Sequence, residues 1–244
     1  MSSAVDSLFA PAALHNPHGD GCPDDLWLPE MAWAVPKYAK KRVNWAGKIL
    51  VIEAPPYYSD DMEVSDEYAA WVQEYIAALD IINNWRSSHN FPLNTFHIGL
   101  KRRAKIIDPN AITAQRIKRL ASIGAKLDRF PTMTLSQMQD IGGCRAIVSS
   151  AQAVSKLCES YAESEIKHLP QQTDNYIDNP KESGYRGVHL IYRYRSDRRQ
   201  DYNSLKIEIQ LRSQLQHACP PGCRCAHPGY TSSSGRATAC ATFS

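Results

Sequence analysis

Two stretches of the chain place apolar residues at helical spacing. Between about 62 and 88 they return every three or four positions, which predicts one amphipathic helix. A second helix is predicted from about 111 to 129, where four apolar side chains share one arc at about 100° per residue. Those four are Ile117, Leu120, Ile123 and Leu127.

The opposite face of the second predicted helix is basic. Lys118, Ser122, Lys126 and Arg129 fall together there, and such a stripe fits either a solvated face or an anion site. Arg116 differs, because it lies inside the apolar arc near the start of the predicted helix. A charge in that position is costly unless it is paired or faces a ligand.

Three short strands are predicted at 143–149, 188–194 and 205–212, with a helix at about 157–169 between the first two. The third strand alternates strictly. Its apolar side holds Leu205, Ile207, Ile209 and Leu211, and its polar side holds Lys206, Glu208, Gln210 and Arg212. A solvated strand face also has this pattern, so the strand alone does not identify a site.

The segment 176–189 enters the second predicted strand as a shaped loop. Pro180, Gly184 and Gly187 set its turns, and an aromatic residue with basic and histidine side chains surrounds the glycines. A plain connection between strands needs no such side chains. The side chains of this loop therefore indicate a functional role and not only a structural one.

Composition narrows the class of protein. The chain has 244 residues, of which 43% are hydrophobic and 22% charged, enough to bury the core of one domain with an extension. No apolar run approaches the roughly 18 residues of a membrane-spanning helix. Residues 1–21 lack a basic region and an apolar region, so no secretory signal is predicted. We expect a cytoplasmic protein in which the scattered Cys22, Cys144 and Cys158 are reduced.

Charge is distributed unevenly although the net charge is only +3. Residues 53–80 contain eight acidic residues and no Lys or Arg, whereas residues 86–145 contain eleven basic and three acidic residues. This contrast fits an acidic flank beside a polyanion site, and it equally fits two solvated faces of opposite charge.

Four stretches together resemble the RelA/SpoT-type guanosine tetra- and pentaphosphate synthetases in their small single-domain form. They lie at 116–126, 139–145, 176–189 and 208–212, in the order and at the spacing of that family. The resemblance covers roughly residues 84–218. It implies an α+β fold, a mixed β-sheet flanked by helices that is similar to nucleotidyltransferases.

The resemblance also implies an activity, the Mg²⁺-dependent transfer of pyrophosphate from ATP to the 3′-hydroxyl of GDP or GTP. Asp140 and Glu208 would hold the metal, and Glu208 would act as the general base. The implied ATP-binding residues are Arg116, Lys118, Ser122, Lys126, Arg129 and Arg145, with Arg116 stacking on adenine. The implied acceptor-binding residues are Tyr185, Lys181, Arg186, His189 and Gln210, with Tyr185 stacking on guanine.

Several features depart from the family pattern. Asn175 stands where many members have Asp, and the neighbouring Asp174 is a candidate substitute. No His-Asp pair of a product-degrading hydrolase is present in the sequence. Some relatives modify the 3′ end of tRNA instead, and the basic stretch 101–105 would suit an RNA acceptor. A nucleotide-binding module without catalysis is a third alternative, and a homo-oligomer is among the open assembly states.

We expect an N-terminal arm and helical extension over 1–83, a synthetase domain over 84–218 and a disordered tail over 219–244. The tail is atypical, because it lacks helical periodicity where relatives continue as a helix. A zinc site is one interpretation of it, and a reading-frame change near codon 219 is the favoured one. The candidate zinc ligands are Cys219, Cys223, Cys225 and His227. On this interpretation the protein is weakly active or inactive.

Overall fold

A computed structural model describes residues 33–58 and 63–218 of the chain. The predictions for the N-terminal arm before residue 33 and for the tail 219–244 lie outside the described residues. In the described part, no helix combines the length and the apolarity needed to cross a membrane.

In the part of the chain that the structure describes, five strands form one mixed sheet in the order β1-β2-β5-β4-β3. Only β2 and β5 pair in parallel, and the other neighbouring strands pair antiparallel. The α+β class with a mixed sheet is therefore confirmed. The strands are β1 Ile112–Ile117, β2 Gly142–Val148, β3 Leu169–Asn175, β4 Val188–Arg193 and β5 Lys206–Ser213.

Within residues 33–58 and 63–218, six α-helices accompany the sheet. In chain order they are α1 Lys40–Ile49, α2 Asp66–Ser88, α3 Asn90–Ile107, α4 Leu120–Arg129, α5 Ala151–Ala162 and α6 Gln214–Ala218. The helix predicted at 62–88 is confirmed as α2. The domain boundary expected at residue 84 falls inside this helix.

The core lies between the sheet and its helices. Leu93, Phe96, Leu100 and Ala104 recur at helical spacing on α3, and all four are buried. On β5 and immediately before it, the apolar side predicted from the alternation is buried: Leu205, Ile207, Ile209 and Leu211. The other side of β5 is thereby left for polar side chains.

The helix predicted over 111–129 is wrong in its first half. Ile112–Ile117 is a strand, paired antiparallel with β2, and the helix begins only at Leu120. β-branched Ile112, Thr113 and Ile117 favour extended backbone, and pairing with β2 outweighs the helical spacing. Arg116 therefore lies on an exposed strand position and not within the apolar arc of a helix.

The helix predicted over 157–169 is displaced. The observed α5 begins at Ala151, where the Ser150 hydroxyl accepts a 3.1 Å hydrogen bond from the Ala153 N–H, and it ends at Ala162. Leu169 already begins β3, an edge strand that is almost entirely exposed. Because β3 buries so little, its sequence lacks the alternation that would have revealed a strand.

Candidate functional site

A cavity of about 250 Å³ opens above β1, β2 and β5. The sheet register builds it, because Arg116 on β1 lies opposite Gly143 on β2, which lies opposite Glu208 on β5. A Cβ at Gly143 would lie in ordinary van der Waals contact with Glu208, 3.7 Å from its Oε2. The residues that line the cavity are Ala114, Gln115, Arg116, Asp140, Gly143, Cys144, Arg145, Glu208 and Gln210.

Asp140 lies two residues before β2 and holds two lysines. The Lys118 Nζ donates to its Oδ2 at 2.8 Å, and the Lys126 Nζ donates to its Oδ1 at 2.9 Å. Burial by itself would raise the pKa of Asp140, but the hydrogen bonds and charges of the two lysines outweigh it and lower the pKa. The carboxylate is therefore ionised at neutral pH.

Glu208 is held by two other partners. The His189 Nδ1 lies 2.9 Å from its Oε1, and the Gln210 Nε2 donates to its Oε2 at 2.6 Å. Burial by itself would raise the pKa of Glu208, but His189 and Gln210 together lower it below its ordinary value. A carboxylate only accepts, so the Nδ1 of His189 carries the proton in this contact.

Arg145 acts on Glu208 through Gln210. Its Nε and Nη2 donate to the Gln210 Oε1 at 3.0 and 2.7 Å, which fixes the amide so that its nitrogen faces Glu208. Arg145 and Gln210 lie directly opposite each other on the parallel pair β2 and β5. Arg145 still lines the cavity, as an ATP-binding residue would.

The loop before β4 brings aromatic rings to the same network. The Tyr185 hydroxyl lies 2.7 Å from the Nε2 of His189, and the Arg212 guanidinium lies 4.8 Å from the Tyr185 ring centroid. The Lys181 Nζ lies 4.2 Å from the centroid of the Tyr176 ring. Gly187 has a φ of +151°, and a Cβ there would approach the Arg212 Cγ to 3.0 Å.

Ten of the thirteen residues predicted for the site either line the cavity or join the network around it. Ser122 and Arg129 are exposed on α4 and do not line the cavity. Arg186 is half-buried in the loop, and its Nη1 is buried without a hydrogen-bond partner in the described structure. The ten are Arg116, Lys118, Lys126, Asp140, Arg145, Lys181, Tyr185, His189, Glu208 and Gln210.

Sequence reasoning missed part of the wall of the cavity. Ala114 and Gln115 line it, and they were overlooked because β1 was assigned to a helix. Cys144 also lines it, but burial raises the pKa of its thiol to about 12, so it is a poor nucleophile. Cys144 and Cys158 form no disulfide within the described residues, and Cys22 lies outside them.

The substitution at Asn175 has a local structural role. Its Oδ1 accepts hydrogen bonds from the Ile177 and Asp178 N–H groups at 3.0 and 3.2 Å, and its Nδ2 donates to the Asp178 Oδ2. This arrangement shapes the turn after β3. Asp174 instead accepts a 2.8 Å hydrogen bond from the Gln172 Nε2.

The donor set fits a hard cation. Within the described residues, no cluster of three or more His, Cys, Asp or Glu side chains is placed to hold a metal. Mg²⁺ does not require such a cluster, since one or two carboxylates with water and substrate phosphates usually complete its shell. Asp140 and Glu208, on the wall of one cavity, supply those two carboxylates.

Residues 115–234 match the family described as the region found in RelA / SpoT proteins. The match covers 120 of the 244 residues, and this region of the chain is similar to the RelA/SpoT proteins. All four motif stretches identified in the sequence fall inside the match. It begins within β1 and continues past Ala218 beyond the described residues.

Two relatives carry the name GTP pyrophosphokinase. The protein from Haemophilus influenzae is 28% identical over 102 residues, covering 42% of this chain and 12% of its own length. GTP pyrophosphokinase YjbM from Bacillus subtilis is 32% identical over 110 residues, covering 43% of this chain. The chain spans 50% of the length of YjbM.

Solved structures of small alarmone synthetases are similar at lower identity. Small alarmone synthetase 1 from Bacillus subtilis has a TM-score of 0.49 and 23% identity over 57% of this chain and 74% of its own. The same synthetase bound to its product pppGpp has a TM-score of 0.46 and 22% identity, with 52% of this chain and 70% of that chain covered.

Proposed function

We propose that this protein transfers the pyrophosphoryl group of ATP to the 3′-hydroxyl of GDP or GTP. The observation that carries the proposal is the cavity itself, which is lined by Asp140 two residues before β2, by Glu208 on the neighbouring parallel strand β5 and by Arg116. The family and the two relatives named GTP pyrophosphokinase support it.

Glu208 is the candidate general base. The lowered pKa keeps it deprotonated at neutral pH, so it can accept the proton of the acceptor hydroxyl. His189 and Gln210 each hold one of its oxygens, which fixes the direction in which the carboxylate points. The acceptor oxygen would then form a bond to the β-phosphorus of ATP, and AMP would leave with the electrons of the broken bond.

The lysines paired with Asp140, together with Arg116, are cations that suit the ATP phosphates. Lys118 and Lys126 lie on Asp140, and Arg116 lines the cavity from β1. In phosphoryl transfer, catalysis consists largely of positioning and of stabilising charge on the transferring group. Asp140 and Glu208 would hold Mg²⁺, which when bound neutralises phosphate charge that the lysines and Arg116 do not.

Tyr185 is the candidate platform for guanine. One side of its ring faces Arg212, and its hydroxyl is anchored on His189, so the ring is oriented before a nucleotide arrives. Lys181 lies 5.6 Å from the centroid of the same ring and could meet the acceptor phosphates. This arrangement connects the guanine platform to the base Glu208 through His189.

A tRNA acceptor is the second candidate. Lys101 and Arg102 are exposed on α3, as an RNA-binding surface requires, whereas Lys105 and Arg103 donate to the Pro109 and Ser160 carbonyls at 2.7 and 2.8 Å. The donor chemistry would be unchanged, since the same ATP and the same base would serve a terminal ribose hydroxyl. Only the acceptor distinguishes the two functions.

One experiment separates these functions. The full-length protein is incubated with Mg²⁺ and ATP labelled in the γ-phosphate, together with GDP, GTP or tRNA, and the labelled product and AMP are both measured. We expect label in a guanine nucleotide with one AMP per transfer. Label in tRNA would favour the second candidate, and nucleotide binding without AMP would indicate a non-catalytic module.

A matched pair of variants ties the result to the site. Glu208→Gln should abolish transfer, while Glu165→Gln removes the same charge from an exposed position and should leave transfer unchanged. Equal activity in the two variants would contradict the assignment of the general base.

A further inference from the structure

Asp140 forms salt bridges with two lysines. Each of its oxygens is occupied by one ammonium group, at 2.8 Å from Lys118 and 2.9 Å from Lys126. The side chains of Asp140 and Lys118 are only 20% and 12% exposed, so solvent screens this arrangement weakly. Two cations on one anion leave an excess positive charge at the residue proposed to hold Mg²⁺.

The backbone holds this arrangement in place. The Lys118 N–H donates to the Ile141 carbonyl at 2.8 Å, and the Lys118 carbonyl accepts a 3.0 Å hydrogen bond from the Arg86 Nε. Lys126 extends from the last turn of α4. Both lysines therefore approach Asp140 from fixed points, and only their flexible stems need to move to release it.

We propose that Lys118 and Lys126 act as internal stand-ins for the metal, so that Asp140 binds a divalent cation tightly only when a polyphosphate draws the lysines away. The purpose of this device rests on the proposed transfer from ATP. A triphosphate beside Arg116 offers the two ammonium groups several anionic oxygens in exchange for one carboxylate. The cation and the polyphosphate then strengthen each other's binding.

The test measures binding of Mn²⁺ alone to the full-length protein, without nucleotide, from the loss of the free Mn²⁺ electron paramagnetic resonance signal. Wild type should bind weakly. Lys126→Met keeps the length of the stem but removes the charge, and it should tighten Mn²⁺ binding by about tenfold, within the usual range of coupling between sites. Lys118→Met should act in the same direction.

Two controls locate the effect. Lys156→Met removes one positive charge from an exposed position on α5 and should leave Mn²⁺ binding unchanged. Adding Asp140→Asn to Lys126→Met should return the affinity to the wild-type level. If Lys118→Met fails to fold, as thermal unfolding would show, the half-buried Lys126 alone decides the test.

Unchanged or weaker Mn²⁺ binding in Lys126→Met would overturn the inference, as would a gain that survives Asp140→Asn. The measurement needs no turnover, so it is independent of the transfer assay. A protein that gains Mn²⁺ affinity but transfers nothing would contradict the proposed function alone. A protein that transfers pyrophosphate without the gain would contradict only the stand-in role of the lysines.

Discussion

Replacing His89 by Asn would test how the core beside the site responds to pH. His89 joins α2 to α3, is 1% exposed, and its Nδ1–H donates to the Trp85 carbonyl at 2.7 Å. Burial lowers the pKa of this imidazole from 6.5 to about 4, although the hydrogen bond to Trp85 partly opposes the shift. The ring is therefore neutral in the folded protein at every pH above that value.

The size of the effect follows from the two pKa values. Between pH 6.5 and about 4, the unfolded chain binds a proton at His89 that the folded chain does not, so stability falls as the pH falls. At about 1.4 kcal/mol per unit, a shift from 6.5 to about 4 corresponds to roughly 3 kcal/mol. That is a large share of the 5–15 kcal/mol by which typical domains are stable.

Urea unfolding of wild type and His89→Asn from about pH 7 to pH 4 measures this contribution. Asn keeps an N–H donor for the Trp85 carbonyl but does not titrate. Between pH 7 and pH 4, the free energy of unfolding of the variant should therefore fall by about 3 kcal/mol less than that of wild type. The control is His217→Asn at an exposed position, which should change the slope of the free energy of unfolding against pH far less. If the free energy of unfolding depends on pH equally in wild type and His89→Asn, the lowered pKa of His89 in the folded protein is contradicted.

Four further substitutions test the site and its support. Asp140→Asn and Glu208→Gln should each reduce transfer on the order of 10²-fold or more while circular dichroism stays unchanged, because they remove charge and not volume, and near-full transfer would contradict their roles. Tyr185→Ala should weaken guanine nucleotide binding in calorimetry by roughly 1–3 kcal/mol with ATP binding little changed, whereas equal losses would indicate a folding role. Gly142→Ala should cost about 1–3 kcal/mol in urea unfolding, since its Cβ would lie 2.9 Å from the Ile207 Cδ1, and an unchanged midpoint would contradict that clash.

The strands that could be predicted are those that bury one face. The alternation of β5 was readable because Ile207 and Ile209 are fully buried while Glu208 faces the cavity. By contrast, β1 contains the helix-like spacing that continues into α4, and β3 is an exposed edge strand of mostly polar residues. For both, pairing with a neighbouring strand decides the conformation, and that information is not local to the segment.

The candidate site, like the strands, could be predicted only in part from the sequence. Its residue types were found from motifs and resemblance, but their pairing was not, since Lys118 and Asp140 are 22 positions apart and meet only through the β1–β2 register. The contact of His189 with Glu208 likewise depends on the antiparallel pairing of β4 with β5. Spacing along the chain indicates which side chains carry chemistry, whereas sheet register determines which of them touch.

The two carboxylates differ in what holds them, and this difference suits two different roles. Asp140 is balanced by cations that a polyphosphate can attract, so its environment changes when a donor nucleotide binds. Glu208 is oriented by the amide of Gln210 and by His189, and Arg145 and Tyr185 anchor those two in turn. A phosphate has less to gain from Gln210 than from an ammonium group, because a charge-assisted hydrogen bond is roughly twice as strong as a neutral one. We therefore expect the environment of Glu208 to persist while that of Asp140 is exchanged, so that the proposed general base keeps its orientation while the second proposed metal ligand, Asp140, adjusts to the nucleotide.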